Sequence, residues 1–216
     1  MFEHLKDIQK RDPANPTFCE VLFAYNGYHA ICLHRFNNLL WRLGLKALAR
    51  MFANFSRFLT GIEIHPEARI GKNVFIDHGT GCVIGQTAIV EDGVTLYHGV
   101  TLGGVGGEGQ SNGKRHPTLK KKCTVGAGAQ VLGDIEIGEY AKIGANSVVT
   151  IDIPDSATAI GVPARIIGKN GRASGAYGMP PREQIEKLVS TIVDIASDVD
   201  EIKKELKIDR TDKKSA

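Results

Sequence analysis

The sequence predicts an α+β chain organised around a parallel β-helix with helical segments on either side. Three observations lead there. Between Ile64 and Val149 an apolar or small residue returns every sixth position, interrupted once by a glycine-rich insert. Upstream, apolar residues recur at three- and four-residue spacing, and near the C-terminal end they form a heptad seam. Neither a helical period nor the two-residue alternation of a strand requires a six-residue beat, whereas the stacked coils of a β-helix do.

Residues 1–60 read as an N-terminal helical segment. The span TFCEVLFAYNGYHAICLHRFNNLLWRLGLKALARMFANFSRFL is rich in helix formers, with Gly27 and Gly44 as punctuation. Its apolar stripe needs a partner, either the open end of the β-helix or another subunit, since solenoid ends must be capped.

Residues 61–168 carry the repeat. Ile64, Ile70, Ile76, Cys82, Ala88, Val94 and Val100 stand six apart, as do Val125, Val131, Ile137, Ile143 and Val149. Each is expected to point inward, with about three hexapeptides to a coil. The runs are 25 residues apart, one more than a multiple of six, so the segment 103–117 leaves the register. Its GGVGGEGQSNG stretch cannot fill an aliphatic ladder and reads as a loop extruded from a corner, of a length that usually serves function.

Residues 169–181 read as a glycine- and serine-containing linker, and 182–210 as a helix. In the latter, Ile185, Leu188, Ile192, Ile195, Val199, Ile202 and Leu206 alternate spacings of 3 and 4. Isoleucine at both a- and d-type positions leans toward a trimeric coiled coil. The alternative is an amphipathic helix lying on its own subunit.

The composition, 42% apolar and 24% charged, is that of a globular protein. A net charge of +3 is too small to argue for nucleic acid. The charged start MFEHLKDIQKRDPANP is unlike a signal peptide, and no apolar run nears the ~18 residues of a membrane span, so the expected location is cytoplasmic without a membrane partner. Cys19, Cys32, Cys82 and Cys123 lack any CxxC spacing and read as unpaired thiols. Lys114, Arg115 and Lys120 to Lys122 form a basic cluster that suits either an anionic ligand or a solvated face.

Four short segments hold polar residues that the repeat does not require: RDPAN with Asp12, GIEIHP with Glu63 and His65, IDHGTG with Asp77 and His78, and GKRHP with Arg115 and His116. Ile76 takes the inward slot, which puts Asp77 and His78 at the outer turn. Glu63 lies fifteen residues upstream, a little under one coil, and is expected beside His78. A carboxylate there fixes the imidazole tautomer and stabilises its protonated form, the arrangement of a general base.

In order along the chain, GIEIHPEARIG, IDHGTGCVIGQT, GVTLGG, GKRHP, GAGAQVLG and GVPARIIG, preceded by RDPA and GYHAICLHR, resemble the serine O-acetyltransferases. The likeness covers about residues 8–170. It implies a left-handed β-helix and the transfer of acetyl from acetyl-CoA to the L-serine hydroxyl, on the way to cysteine. It implies His78 as general base with Glu63 as its partner, and Arg115, His116, Asp12 and Asp77 as residues that hold serine. It also implies Gly104, Ala127, Lys142 and Ala145 against acetyl-CoA in a groove between subunits of a homotrimer or a dimer of trimers. The co-substrate is the expected ligand, with no tightly bound cofactor and no metal. The chain departs from the family pattern in Glu63 for the commoner Asp, Gln86 for the commoner Glu, and a longer insert. It ends in KKSA, without the terminal isoleucine by which many members dock into cysteine synthase, which argues against that partnership.

Three other readings compete. A sugar acetyltransferase of the same fold would not need both signs of charge that Asp12, Asp77 and Arg115 bring together. A zinc-dependent γ-type carbonic anhydrase would need three converging imidazoles, drawn from His65, His78, His98 and His116. A silent scaffold would leave Glu63, His78, Arg115 and His116 without a reason.

Overall fold

The computed structural model describes residues 2–106, 113–167 and 182–212. Four helices come first: α1 (Phe2–Arg11), α2 (Phe18–Ala24), α3 (Asn26–Arg42) and α4 (Lys46–Thr60). Thr17 and Glu20 form a reciprocal capping box that starts α2, and Gly61 ends α4 in the left-handed conformation. Short strands follow: β1 (Glu63–Ile64), β2 (Arg69–Ile70), β3 (Phe75–Ile76), β4 (Val83–Ile84), β5 (Ile89–Val90), β6 (Thr95–Leu96), β7 (Thr101–Gly103), β8 (Thr118–Leu119), β9 (Thr124–Val125), β10 (Gln130–Leu132), β11 (Glu136–Ile137), β12 (Lys142–Ile143), β13 (Val148–Val149), β14 (Thr158–Gly161) and β15 (Ala164–Ile166).

The strands make a three-faced prism. One face is β1-β4-β7-β10-β13, the second β2-β5-β8-β11, and the third β3-β6-β9-β12-β14, each with parallel neighbours. β15 closes the third face as an antiparallel edge on β14. From β1 to β13 the chain visits the faces in rotation, so each strand up to β10 pairs with the one three places on. This is the stack of coils that a hexapeptide beat specifies. At the last coil only the bridge of Ile153 to Ile137 continues the second face, and β12 pairs with β14.

Two inward slots recur in each six-residue unit. The strand residue fills one, as Ile64, Ile84, Leu102, Val131 and Val149 do on the first face; the residue two positions before it, smaller in every coil but the first, fills the other, as Ile62, Cys82, Val100 and Ala129 do. The uninterrupted ladder expected from Ile64 to Val100 is therefore corrected. Ile64, Ile70 and Ile76 occupy the strand slot, but Cys82, Ala88, Val94 and Val100 occupy the other. The reason is that Ile64 pairs with Ile84 and Ile76 with Leu96, twenty positions on, whereas Ile84 pairs with Leu102, eighteen on. Two extra residues in the corner between β3 and β4 shift the beat by two, from one buried slot to the other. The insert is corrected likewise: Leu102 and Leu119 are consecutive strand-slot residues seventeen apart, so the loop adds eleven residues to one hexapeptide. Residues 107–112 of this loop lie outside the described residues, as does the linker 169–181.

The open end of the prism is capped by α3. Its Arg35 guanidinium donates to the carbonyls of Ile70 and Gly71, Asn38 to Pro66 and His34 Nε2 to Ala68, so carbonyls of the first coil find donors in a helix rather than a further coil. The N-terminal turn of α3 approaches β3 closely: a Cβ on Gly27 would stand 2.0 Å from the Ile76 carbonyl oxygen. A second small core, Leu5, Ile8, Val21, Tyr28 and Phe75, binds α1 and α2 to this junction. Along α4, Met51, Phe55 and Phe58 face outward and exposed.

The segment 180–216 is a separate compact unit containing helix α5 (Arg182–Asp212). Among the described residues no helix is long and apolar enough to cross a membrane.

Candidate active site

The corner that follows the third face runs up one edge of the prism. Backbone amides stitch it coil to coil: Gly81 to the Gly61 carbonyl, Gly99 to Thr80, Gly128 to His98, and Asn146 to Ala127, each within 2.8–2.9 Å. His78, His98, Ala127 and Ala145 consequently share this edge. His78 sits at φ 58°, in the left-handed region that histidine enters more readily than most residues, and its side chain is 64% exposed. Its ring lies edge-on to His98, with centroids 6.0 Å apart.

Three of the expected site residues meet here. A cleft of about 590 Å³ is lined by Asp12, Tyr25, Gly27, Asp77, His78 and Tyr97, among others. Asp12 follows α1, and the small core under α1 and α2 holds it over the edge; Arg11 reinforces the placement by donating to the Asn73 carbonyl and to Thr95 Oγ1. Tyr25, between α2 and α3, donates its hydroxyl to Asp12 Oδ2 at 2.5 Å. Burial and this bond push the phenol above its ordinary range, so it remains a donor. Asp77 Oδ1 lies 4.0 Å from His78 Nε2. Burial raises the Asp77 carboxyl above its ordinary value, the His78 charge opposes that, and the Asp12 charge adds to it. An Asp12 charge that raises the Asp77 carboxyl across one cleft favours a cation between the two.

Glu63 opens β1, just past the same edge, and Arg57 from α4 donates to its Oε2 at 3.2 Å. The expected Glu63 to His78 contact is not among the bonds formed; the carboxylate within ion-pair range of His78 is that of Asp77.

Arg115 and His116 occupy the next edge, across the first face, where the extruded loop returns. His116 is only 7% exposed, its ring lying so close over Gly85 that a Cβ there would stand 2.0 Å from Cδ2. Thr87 organises the loop: its Oγ1 accepts from the amides of Arg115 and His116 and lies 2.9 Å from His116 Nδ1, while its own amide donates to that same nitrogen at 3.3 Å. Nδ1 is therefore an acceptor, and the network assigns the proton to Nε2. Burial and the charges of Arg115 and Lys114 lower the His116 pKa, which keeps the ring neutral. Arg115 donates to Gln86 Oε1 at 3.0 Å, and Gln86 donates in turn to Glu67 Oε2 at 2.7 Å. His65, beside Trp41, is pushed down to about 4, chiefly by burial.

Of the four residues expected to face acetyl-CoA, Ala127 and Ala145 lie on the His78 edge, and Lys142 on β12 just before it. Burial lowers the Lys142 pKa. Gly104 lies instead against His116, 3.0 Å from the ring to a Cβ built there. Lys120 of the basic cluster is engaged by Glu91 and Glu136. Among the described residues no group of three or more His, Cys, Asp or Glu is placed to hold a metal ion. Tyr25 and Thr87 were not singled out by sequence, because a lone tyrosine or threonine carries no spacing signal; only the fold shows what they hold.

A three-faced stack of six-residue units, with His78 and Asp77 on one edge and Arg115 and His116 on the next, is the architecture of a hexapeptide-repeat transferase. The family model for bacterial transferase hexapeptide (six repeats) matches residues 116–150. Serine acetyltransferase of Mycobacterium tuberculosis is 53% identical over 171 residues, covering 79% of this chain and 73% of that protein. Among solved structures, serine acetyltransferase from Brucella abortus in complex with coenzyme A superposes with a TM-score of 0.73 at 43% identity, covering 78% of this chain and 66% of that one. Soybean serine acetyltransferase complexed with serine gives 0.72 at 43%, covering 76% and 66%. The chain thus spans about two thirds of those two structures. It belongs to the serine acetyltransferase family.

Proposed function

We propose that this protein transfers acetyl from acetyl-CoA to the hydroxyl of L-serine, giving O-acetyl-L-serine and CoA for cysteine biosynthesis. The observation that carries this reading is the meeting of Asp12 and Asp77 beside the exposed His78 imidazole in one cleft. The carboxylate pair suits the serine ammonium, and Arg115, a guanidinium with a fixed partner in Gln86, suits the substrate carboxylate. A sugar would give neither sign of charge a purpose.

In this reading His78 removes the hydroxyl proton as the serine oxygen attacks the thioester carbonyl. The C–O bond forms, the C–S bond breaks, and the imidazolium returns the proton to the departing thiolate. No covalent enzyme intermediate is required. General-base assistance of this kind supplies about 10²- to 10⁴-fold, with orientation of the two substrates adding the rest. Glu63 steadies the imidazolium once it turns from Arg57. His116, a neutral Nε2–H donor, bonds near the reacting hydroxyl. Acetyl-CoA, as co-substrate, runs along the His78 edge, where Ala127 and Ala145 leave clearance and Lys142 supplies charge, and Gly104, on the His116 edge, lines the groove from the neighbouring subunit.

The His78 cluster and the Arg115 cluster occupy different edges of the prism, which supports a homotrimer, alone or paired into a dimer of trimers, in which one chain's His78 edge meets its neighbour's Arg115 edge. The outward apolar residues of α4 suit such association. The prism is read as left-handed. The organisation is an N-terminal helical segment (1–60), a catalytic β-helix (61–168), a linker (169–181) and a C-terminal helix (182–210). The location is read as cytoplasmic, where acetyl-CoA is available. The decisive experiment measures thiol release from acetyl-CoA with and without L-serine, against galactoside acceptors. Serine-dependent release supports the assignment, and preference for the sugar overturns it.

A further inference from the structure

We infer that α5 is a self-association element that forms a parallel, in-register, three-stranded coiled coil with the same helix of two other copies of this chain. The helix has 31 residues, room for four heptads. Ile192, Ile195, Val199 and Ile202 recur at alternating three- and four-residue steps and are 43–58% exposed. A straight helix drifts by about 20° per heptad against a strict seven-residue repeat, so a seam that keeps the 3.5-residue period matches a supercoiled partner better than a flat surface.

The residues flanking the seam identify the partner. With Ile192 and Val199 at a positions, Asp198 and Glu205 fall at g, and Lys203 and Arg210 at e. In a parallel, in-register assembly a g position faces the e position five residues further along the neighbouring helix. In the heptad register of the sequence, position 198 then pairs with position 203 and position 205 with position 210, an acid with a base both times. An antiparallel alignment matches g with g and e with e, and both matches are then between like charges. The helix is thus complementary to itself in one direction only. Isoleucine at a (Ile192) and at d (Ile195, Ile202) favours three strands over the β-branched-a, leucine-d pattern of dimers. The inference stands apart from the catalytic reading, since none of these residues belongs to the cleft.

The test uses the full chain with Cys19→Ser and Cys32→Ser, because Cys82 and Cys123 are buried. A spin label is attached at Ser190→Cys or, separately, Ser197→Cys, both at outward f positions, and inter-spin distances are read by pulsed electron resonance. The expected result is one short distance, equal at the two sites, with the modulation depth of three coupled spins. Adding Ile192→Asp with Ile195→Asp should abolish the short distance while serine-dependent thiol release continues. Unequal distances at the two sites mean antiparallel pairing, a two-spin depth means a dimer, and absence of a short distance means no association; each of these overturns the inference.

Discussion

The Tyr25 hydroxyl holds Asp12 by a 2.5 Å hydrogen bond to Oδ2, and the second carboxylate oxygen of Asp12 accepts the Ala14 amide. A carboxylate on the loop after α1 is thereby fixed over an edge of the prism that belongs to another part of the chain. The phenol matters because it is kept protonated by burial.

Tyr25→Phe removes that hydrogen bond and little else. A bond to a charged group contributes about 1.5–3 kcal/mol, and part of it is recovered by water in an open cleft. The KM for L-serine should rise about tenfold with kcat nearly unchanged. Steady-state kinetics at saturating acetyl-CoA checks this; an unchanged KM would mean that Asp12 does not bind the amino acid.

His78→Ala should lower kcat by about 10²- to 10⁴-fold while circular dichroism and oligomeric mass stay unchanged. The side chain projects into solvent from a turn, so its loss opens no cavity. A variant that retains activity would place the general base elsewhere.

Much of this was legible in the sequence because a β-helix writes its geometry at fixed intervals. The hexapeptide beat announced the prism, the insert that ends in KRHP broke it openly, and DHGTG stood out by its polar residues alone. The two-residue shift in the corner at His78 was hidden because both inward slots are apolar, and Cys82 reads as a continuation of Ile76. Which edge each cluster occupies, and the service of Tyr25 and Thr87, depend on contacts between distant segments that carry no period. Glu63 shows the same limit from the other side: its spacing placed it near His78, but Arg57, from a helix, holds its carboxylate.

Gly85→Ala would force a methyl group to within 2.0 Å of His116 Cδ2 and 2.9 Å of the Leu102 carbonyl oxygen. Overpacking of this kind costs about 1–3 kcal/mol, or roughly 2–10 °C in Tm for a chain of this size. Because the His116 ring is the part that can yield, kcat/KM for serine should fall more than stability alone explains. Thermal melts and kinetics on the same preparation separate the two effects.

Acid should destabilise the junction between α3 and the prism. His34 is buried, donates Nε2–H to the Ala68 carbonyl, and is pushed down to about 4 by burial, with Arg35 adding to the shift. Its folded pKa is below its unfolded value, so between pH 6.5 and about 4 the unfolded chain binds more protons. The stability is complete above pH 6.5 and is lost as pH falls toward 4, by about 3 kcal/mol for this group. His34→Gln keeps a donor for Ala68 and removes the titration. Its Tm should therefore vary less between pH 7 and 4.5 than that of the parent, and the slope that remains belongs in part to His65, which shifts the same way.

The two-edge arrangement makes a sharper demand than any single variant. If His78 of one chain works with Arg115 of its neighbour, then His78→Ala and Arg115→Ala each inactivate the homotrimer, but their mixture contains intact sites. A site survives wherever an Arg115→Ala chain offers its His78 edge to the Arg115 edge of a His78→Ala chain, and random assembly of equal amounts gives this at about a quarter of the interfaces. Co-expression of the two variants should accordingly restore about a quarter of the parental specific activity, whereas mixing the separately purified homotrimers without exchange should restore none. A site contained within one chain predicts no recovery in either case, because every chain then carries one defective half. Recovery on co-expression alone can arise only from catalysis shared across the subunit boundary.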